Sequence, residues 1–154
     1  MVTVFGINQH FAIKCYANPK KKTSKGLVQF IVKPLRYAQK TKINTQTVSH
    51  VKGELTVDHA LSTFLTIKYS LVDIKGLKDM HGKAYKLEFE KEDDYEILTD
   101  DCVEALINCE LGYVLNFYAK DAINSTPHQI VNPATFRPLD GVEFKPWNEA
   151  IKKK

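Results

Sequence analysis

No aspartate or glutamate occurs in residues 1–53, which carry ten Lys or Arg; residues 54–154 hold all eighteen acids against twelve Lys or Arg. Parts of +10 and −6 therefore underlie a formal charge of only +4. Such polarity leaves the fold open. It implies a polyanionic partner or contacts between basic and acidic surfaces of two copies, with a merely solvated basic face as the plainer alternative. The acidic side is densest from Glu88 to Glu104, where Glu88, Glu90, Glu92, Asp93, Asp94, Glu96, Asp100, Asp101 and Glu104 face one base, Lys91.

Cysteine is also scarce. Cys15, Cys102 and Cys109 are odd in number and form no CxxC pair, which fits thiols in a reducing compartment better than a disulfide framework. His10, His50, His59, His81 and His128 show no HxxxH or HExxH spacing, so no metal is expected. No glycine-rich phosphate loop and no nucleophile-and-base grouping is present; the expectation is a non-enzymatic chain without cofactor. Apolar runs of about 18 residues are missing, which argues against a membrane span. The opening MVTVFGINQHF lacks the order of a signal peptide, so a cytoplasmic location is expected.

The chain has 154 residues, 44% of them hydrophobic, enough for one core. The expected class is α+β: an N-terminal antiparallel β-sheet, then a helix, a β-hairpin, a helical pair and an extended C-terminal arm. Residues 1–124 read as one domain, with a β-rich basic part (1–57) and a mainly helical acidic part (58–124). Residues 125–154 read as a proline-rich arm.

Val2 to Ile7 and Phe11 to Tyr16 are rich in β-branched and aromatic residues, with Phe11, Ile13 and Cys15 on one strand face. Asn18-Pro19 opens an exposed hairpin loop running to Gly26, and Leu27 to Val32 is a strand ended by Pro34. Gln39 to Val51 is rich in Thr and alternates weakly, which predicts one or two solvent-facing strands. From Asp58 the period turns helical: Ala60, Phe64, Ile67, Leu71 and Ile74 form a stripe to Lys75, capped by Asp58 and Gly76. A strand through Leu65, Ile67, Tyr69 and Leu71 is the alternative. Ala84 to Glu90 alternates Tyr85, Leu87 and Phe89 with charges, as a half-buried strand does. Thr99, followed by Asp100 and Asp101, opens a helix with acids at its positive end, and Val103, Leu106 and Ile107 give it an apolar face. Leu111, Val114, Leu115, Tyr118, Ala119 and Ala122 recur at helical spacing. Beyond Asn124, Pro127, Pro133, Pro138 and Pro146 alternate with Phe136, Phe144 and Trp147, a spacing no helix spans.

Two sets of residues are candidates for binding. Leu111, Val114, Leu115 and Tyr118, with the arm aromatics Phe136, Phe144 and Trp147, offer apolar anchors to a protein partner; core packing, and an arm folded back on its own domain, are the bland alternatives. Lys20, Lys21, Lys22 and Lys25, in a part without acids, offer charge to nucleic acid phosphates; a solubilised loop is the alternative. Cys102 and Cys109 lie on one helical face beside Leu106 and read as core.

Three segments carry a family likeness: Leu71-Val72-Asp73-Ile74-Lys75-Gly76-Leu77-Lys78-Asp79, His81-Gly82-Lys83, and Leu98-Thr99-Asp100-Asp101-Cys102-Val103-Glu104-Ala105-Leu106. They resemble small tailed-phage proteins in which a β-rich part, here ending in Val28 to Leu35, is followed by an amphipathic helix. Then come a turn of glycine, apolar, basic, Asp, x, x, Gly and a helix opening with Thr. The nearest group is the phage tail assembly chaperones, which escort the tape measure protein while the tail tube polymerises around it. The turn here lacks the Trp often seen before it, with Ile74 near that position, and the proline-rich arm has no counterpart. The likeness implies a non-enzymatic phage protein acting by protein-protein binding in virion tail assembly, in the host cell cytoplasm. A self-assembling virion structural subunit is the near neighbour of this reading. A small basic nucleic-acid-binding or host-interfering protein is the rival class.

Overall fold

The computed structural model describes residues 9–18, 20, 26–122, 131–132, 137–138 and 141–147. The class is α+β, as the sequence implies. Among the described residues the strands and helices run β1 (His10–Cys15), β2 (Val28–Val32), α1 (Tyr37–Thr47), β3 (Val48–Val51), β4 (Glu54–Val57), α2 (His59–Ser70) and β5 (Leu71–Lys75). They continue with β6 (Phe89–Glu92), β7 (Tyr95–Leu98), α3 (Asp100–Ile107), α4 (Gly112–Ala122), β8 (Val131–Asn132), β9 (Arg137–Pro138) and β10 (Val142–Trp147).

Alternation builds the main sheet. It is antiparallel, in the order β10-β1-β2-β5, and its register sets Ile13 opposite both Phe30 and Phe144, and Phe30 opposite Ile74. Phe11, Ile13, Cys15, Phe30, Val32, Leu71 and Ile74 thereby share one apolar face. That face packs on Ile67 of α2, on Cys102, Val103 and Leu106 of α3, and on Val114, Leu115, Tyr118 and Ala119 of α4. Phe144 stacks on Phe11 with ring centroids 4.9 Å apart, which ties the last strand to the first. A second cluster, Leu35, Ile43, Leu65, Tyr69 and Ile97, joins α1 to α2 and to the β6–β7 hairpin.

Thr99 caps α3 as its sequence implies, its hydroxyl accepting from Cys102 N, and Asp58 caps α2 by accepting from Leu61 N. Four expectations need correction. Gln39 to Thr47 is not strand but most of α1. Its buried residues are Gln39, Ile43 and Thr47, a helical i, i+4, i+8 stripe with a single apolar member, invisible to hydrophobic periodicity. The Gln39 side chain also accepts from Arg36 N at 3.0 Å, closing the first turn.

The stripe from Asp58 to Lys75 divides at Ser70, after which Leu71 to Lys75 leave the helix as β5. Ile67, Leu71 and Ile74 satisfy the helical spacing, yet the open edge of β2 takes Leu71 to Lys75 as a strand, and Lys33 N donates to Ser70 O at 2.9 Å at the crossover. Gly76 is accordingly no helix cap. It ends β5 at φ +83, so close to β2 that a Cβ would lie 2.2 Å from Leu27 O. Where the likeness implies a helix before the turn, this chain has a strand.

Third, Tyr85 and Leu87 are half-buried between exposed Lys86 and Glu88, but the ladder begins only at Phe89; Ala84 makes a lone bridge to Lys78. Fourth, the proline-rich arm is not separate from the domain along its whole length. Val142 to Trp147 form the edge strand beside β1, where alternation puts Val142 and Phe144 on the apolar face. The expected strand Val2 to Ile7 lies outside the described residues.

A candidate protein-binding surface

The strands β3 and β4 form a hairpin projecting from the junction of α1 and α2. Lys52 (φ 53) and Gly53 (φ 80) make its two-residue turn, the left-handed pair whose twist suits a tight hairpin. The pairs are Val48↔Val57, Ser49↔Thr56, His50↔Leu55 and Val51↔Glu54. Opposite residues share a face, so Val48, His50, Leu55 and Val57 form one side and Ser49, Val51, Glu54 and Thr56 the other. Every residue of the ribbon except Val48 is exposed, Leu55 at 62% and Val51 at 56%. Its base is fixed: Asp58 N donates to the carbonyl of buried Thr47 at 2.7 Å.

The apolar side does not end at the hairpin. Val48 and Val57 form a wall of an open groove of about 770 Å³, whose other walls are Asn44 and Thr47 of α1, His59, Ser62 and Thr63 of α2, and Ala119 and Lys120 of α4. Hydroxyls and an amide beside two valines suit a peptide: they satisfy its backbone while the apolar wall takes its side chains. Weak alternation marks Val48 to Val51 only as part of a solvent-facing strand and does not mark β4. The Lys52-Gly53 turn between two runs of β-formers is the sequence signal that finds the hairpin.

The residues expected to bind protein are placed differently. Val114, Leu115 and Tyr118 are in the core, where no partner reaches them, because they are the face of α4 that covers the sheet. Leu111 is half-buried against the same cluster, and so is Phe144, stacked between Phe11 and Tyr118. Trp147 falls in β10 opposite His10, and Phe136 lies outside the described residues. Of the lysine loop, Lys20 is described and exposed, on the connection between β1 and β2; Lys21, Lys22 and Lys25 lie outside the described residues.

The charge polarity is partly settled inside the chain. Lys42 of the basic part pairs with Glu92, Arg36 sits 4.6 Å from the ring centroid of Tyr95, and Lys68 pairs with Glu90 at 3.1 Å and with Asp100. Burial pushes the Lys68 amine down, but its bonds to Asp100 and Glu90 outweigh that and leave its pKa above the ordinary value. Glu90, Glu92 and Asp100 are thus engaged within the chain, as the β6–β7 hairpin folds onto α1 and α2.

Cys15 and Cys102 are packing groups, whereas Cys109 is half-buried and outside the core cluster. Burial, then the nearby Cys109, pushes Cys15 up to about 12, leaving no thiolate near neutrality. Cys102 is buried, and Tyr85 Oη lies 3.6 Å from its Sγ. Among the described residues no group of three or more His, Cys, Asp or Glu is placed to hold a metal ion, and no helix is long and apolar enough to cross a membrane. Compared with protein-family models, with curated proteins and with solved structures, the chain gives no match.

Proposed function

We propose that this chain is a non-enzymatic protein of tailed-phage tail assembly that works by binding another protein, chaperone-like, in the host cytoplasm. One observation carries the binding half of this reading: an apolar hairpin face, exposed at Leu55 and Val57, that continues into a groove able to satisfy a peptide backbone. A surface of this kind is expensive to leave open to water unless a partner covers it. The phage half is supported by the turn from Gly76 to Gly82 and the Thr-capped α3, which carry the family likeness.

The test is co-expression with a tape measure protein of a tailed phage. The client is expected to stay soluble and co-elute, and Leu55→Asp with Val57→Asp to abolish both while far-ultraviolet dichroism is unchanged. Co-elution indifferent to those changes overturns the surface assignment. Retention instead of nucleic acid, seen as a raised ultraviolet absorbance ratio that collapses in high salt and on changing Lys20, Lys21, Lys22 and Lys25 to Glu, favours the nucleic-acid class.

A further inference from the structure

Neither Glu54 nor Asp58, the acids of the β3–β4 hairpin and of its junction with α2, lines the groove beside it. Opposite residues of the ribbon share a face, so Glu54 stands with Ser49, Val51 and Thr56 on the far side from Val48 and Val57. The Asp58 carboxylate caps α2, accepting from Leu61 N at 3.1 Å. The walls supplied by α1 and β3 come from the part of the chain that has no acid at all. Among the described lining residues there is none either, and the one with a full charge is Lys120, in the last turn of α4.

Lys42 and Lys68 show what a lysine of these helices does with an acid in reach: Lys42 pairs with Glu92, and Lys68 with Glu90 and Asp100. Lys120 has no acid partner among the described residues; it is exposed, its ammonium 5.5 Å from the centroid of the Phe117 ring. The hydroxyls of α2 show a similar contrast. Thr66 and Ser70 turn theirs back on the helix, donating to Ser62 O at 2.7 Å and to Thr66 O at 2.6 Å, whereas those of Ser62 and Thr63, in the groove, make no bond among the described residues.

Three kinds of group therefore meet in one channel: the aliphatic wall of Val48 and Val57, uncommitted polar groups on Asn44, Ser62 and Thr63, and a cation on Lys120. An apolar side chain, a peptide backbone and a carboxylate answer them in turn. A segment bearing Lys or Arg brings like charges together, which costs affinity and excludes it as a partner. A phosphate backbone asks for a row of cations rather than one.

We infer that the groove selects an acidic, apolar peptide segment, with an aliphatic side chain against Val48 and Val57 and the carboxylate of an internal Asp or Glu on Lys120. This rests on the groove being the peptide site of the proposed function and adds the chemistry of the client that it accepts.

Amide-resonance titration of the isotope-labelled full chain tests it. The probes are peptides with leucine on both sides of a central Glu, Gln or Lys, acetylated and amidated so that no terminal charge contributes. The Glu peptide is expected to move the amides of Ser62, Thr63, Ala119 and Lys120 and to bind about threefold tighter than the Gln peptide, with the Lys peptide weakest. Lys120→Glu is expected to reverse that order. Lys83→Glu, the same change of net charge at an exposed position in the turn from Lys78 to Ala84, is expected to preserve it. Equal affinities for the wild-type chain, or an order that survives Lys120→Glu, overturn the carboxylate preference while leaving the groove as a peptide site. Peptides that move none of these amides overturn the groove as a site, and the preference with it.

Discussion

Three weakly acidic side chains, buried Cys15 and Tyr118 and half-buried Tyr85, decide how the fold responds to alkali. Burial raises the Cys15 thiol from 9.0 to about 12, and burial likewise raises the phenols of Tyr85 and Tyr118. In the unfolded chain each gives up its proton earlier, so the folded state holds more protons between the two values and stability falls with rising pH. For Cys15 the contribution is intact below pH 9.0 and is lost as pH rises towards about 12. The urea midpoint is therefore expected to fall above that lower limit, and Cys15→Ala to flatten the first part of the slope. Lys68 acts in the same direction: its raised pKa keeps its ion pairs through neutrality and forfeits them only in strong alkali.

Residue-scale packing gives a second contrast. Gly76→Ala meets both a positive φ and the Leu27 carbonyl, and is expected to cost roughly 2–4 kcal/mol in denaturant melts. Tyr118→Phe should be neutral or stabilising by up to about 1 kcal/mol. The Tyr118 hydroxyl is fully buried; Ser70 is near enough to perturb it, but no bond of normal geometry forms and the Ser70 hydroxyl donates to Thr66 O at 2.6 Å.

Among the elements, the β3–β4 hairpin and the central strands stand at opposite ends of stability. Phe30 and Ile13 are wholly buried between two neighbouring strands and the helices, whereas the ribbon from Ser49 to Val57 buries almost nothing. Local opening costs least where few apolar contacts are lost. Amide exchange in dilute solution is expected to be fast along Ser49 to Val57 and slowest in β1 and β2. By the same reasoning Leu55→Asp should shift global stability by no more than about 0.5 kcal/mol, which is what makes it usable as a binding probe.

For the whole molecule, the sheet draws its strands from both ends of the chain, since β10 pairs with β1 over six residues and Phe144 seals the core beside Phe11. A chain ending at residue 140 exposes the β1 edge and uncovers Phe11. It is expected to lose its cooperative melting transition, whereas removal of 148–154 leaves the sheet complete. Calorimetry of the two truncations distinguishes a strand of the domain from a detachable arm.

How much of this was legible in the chain varies with what holds each part. Phe11, Ile13, Cys15 and Phe30 are core because alternation fixes their face before any neighbour is known, and Thr99 and Asp58 start helices because their side chains cap the next turn locally. The class, the first two strands of the sheet, α3 and α4 were determined by such local rules. The tertiary structure alone decided the rest, because the deciding partner is distant. The open edge of β2 turns Leu71 to Lys75 from helix to strand. A polar stripe of Gln39 and Thr47 around Ile43 is buried only when α2 lies against it. The apparent arm becomes a strand once β1 offers its edge to Val142–Trp147. The candidate surface belongs to this second kind: its residues are ordinary strand formers, and only their projection from the α1–α2 junction leaves them uncovered.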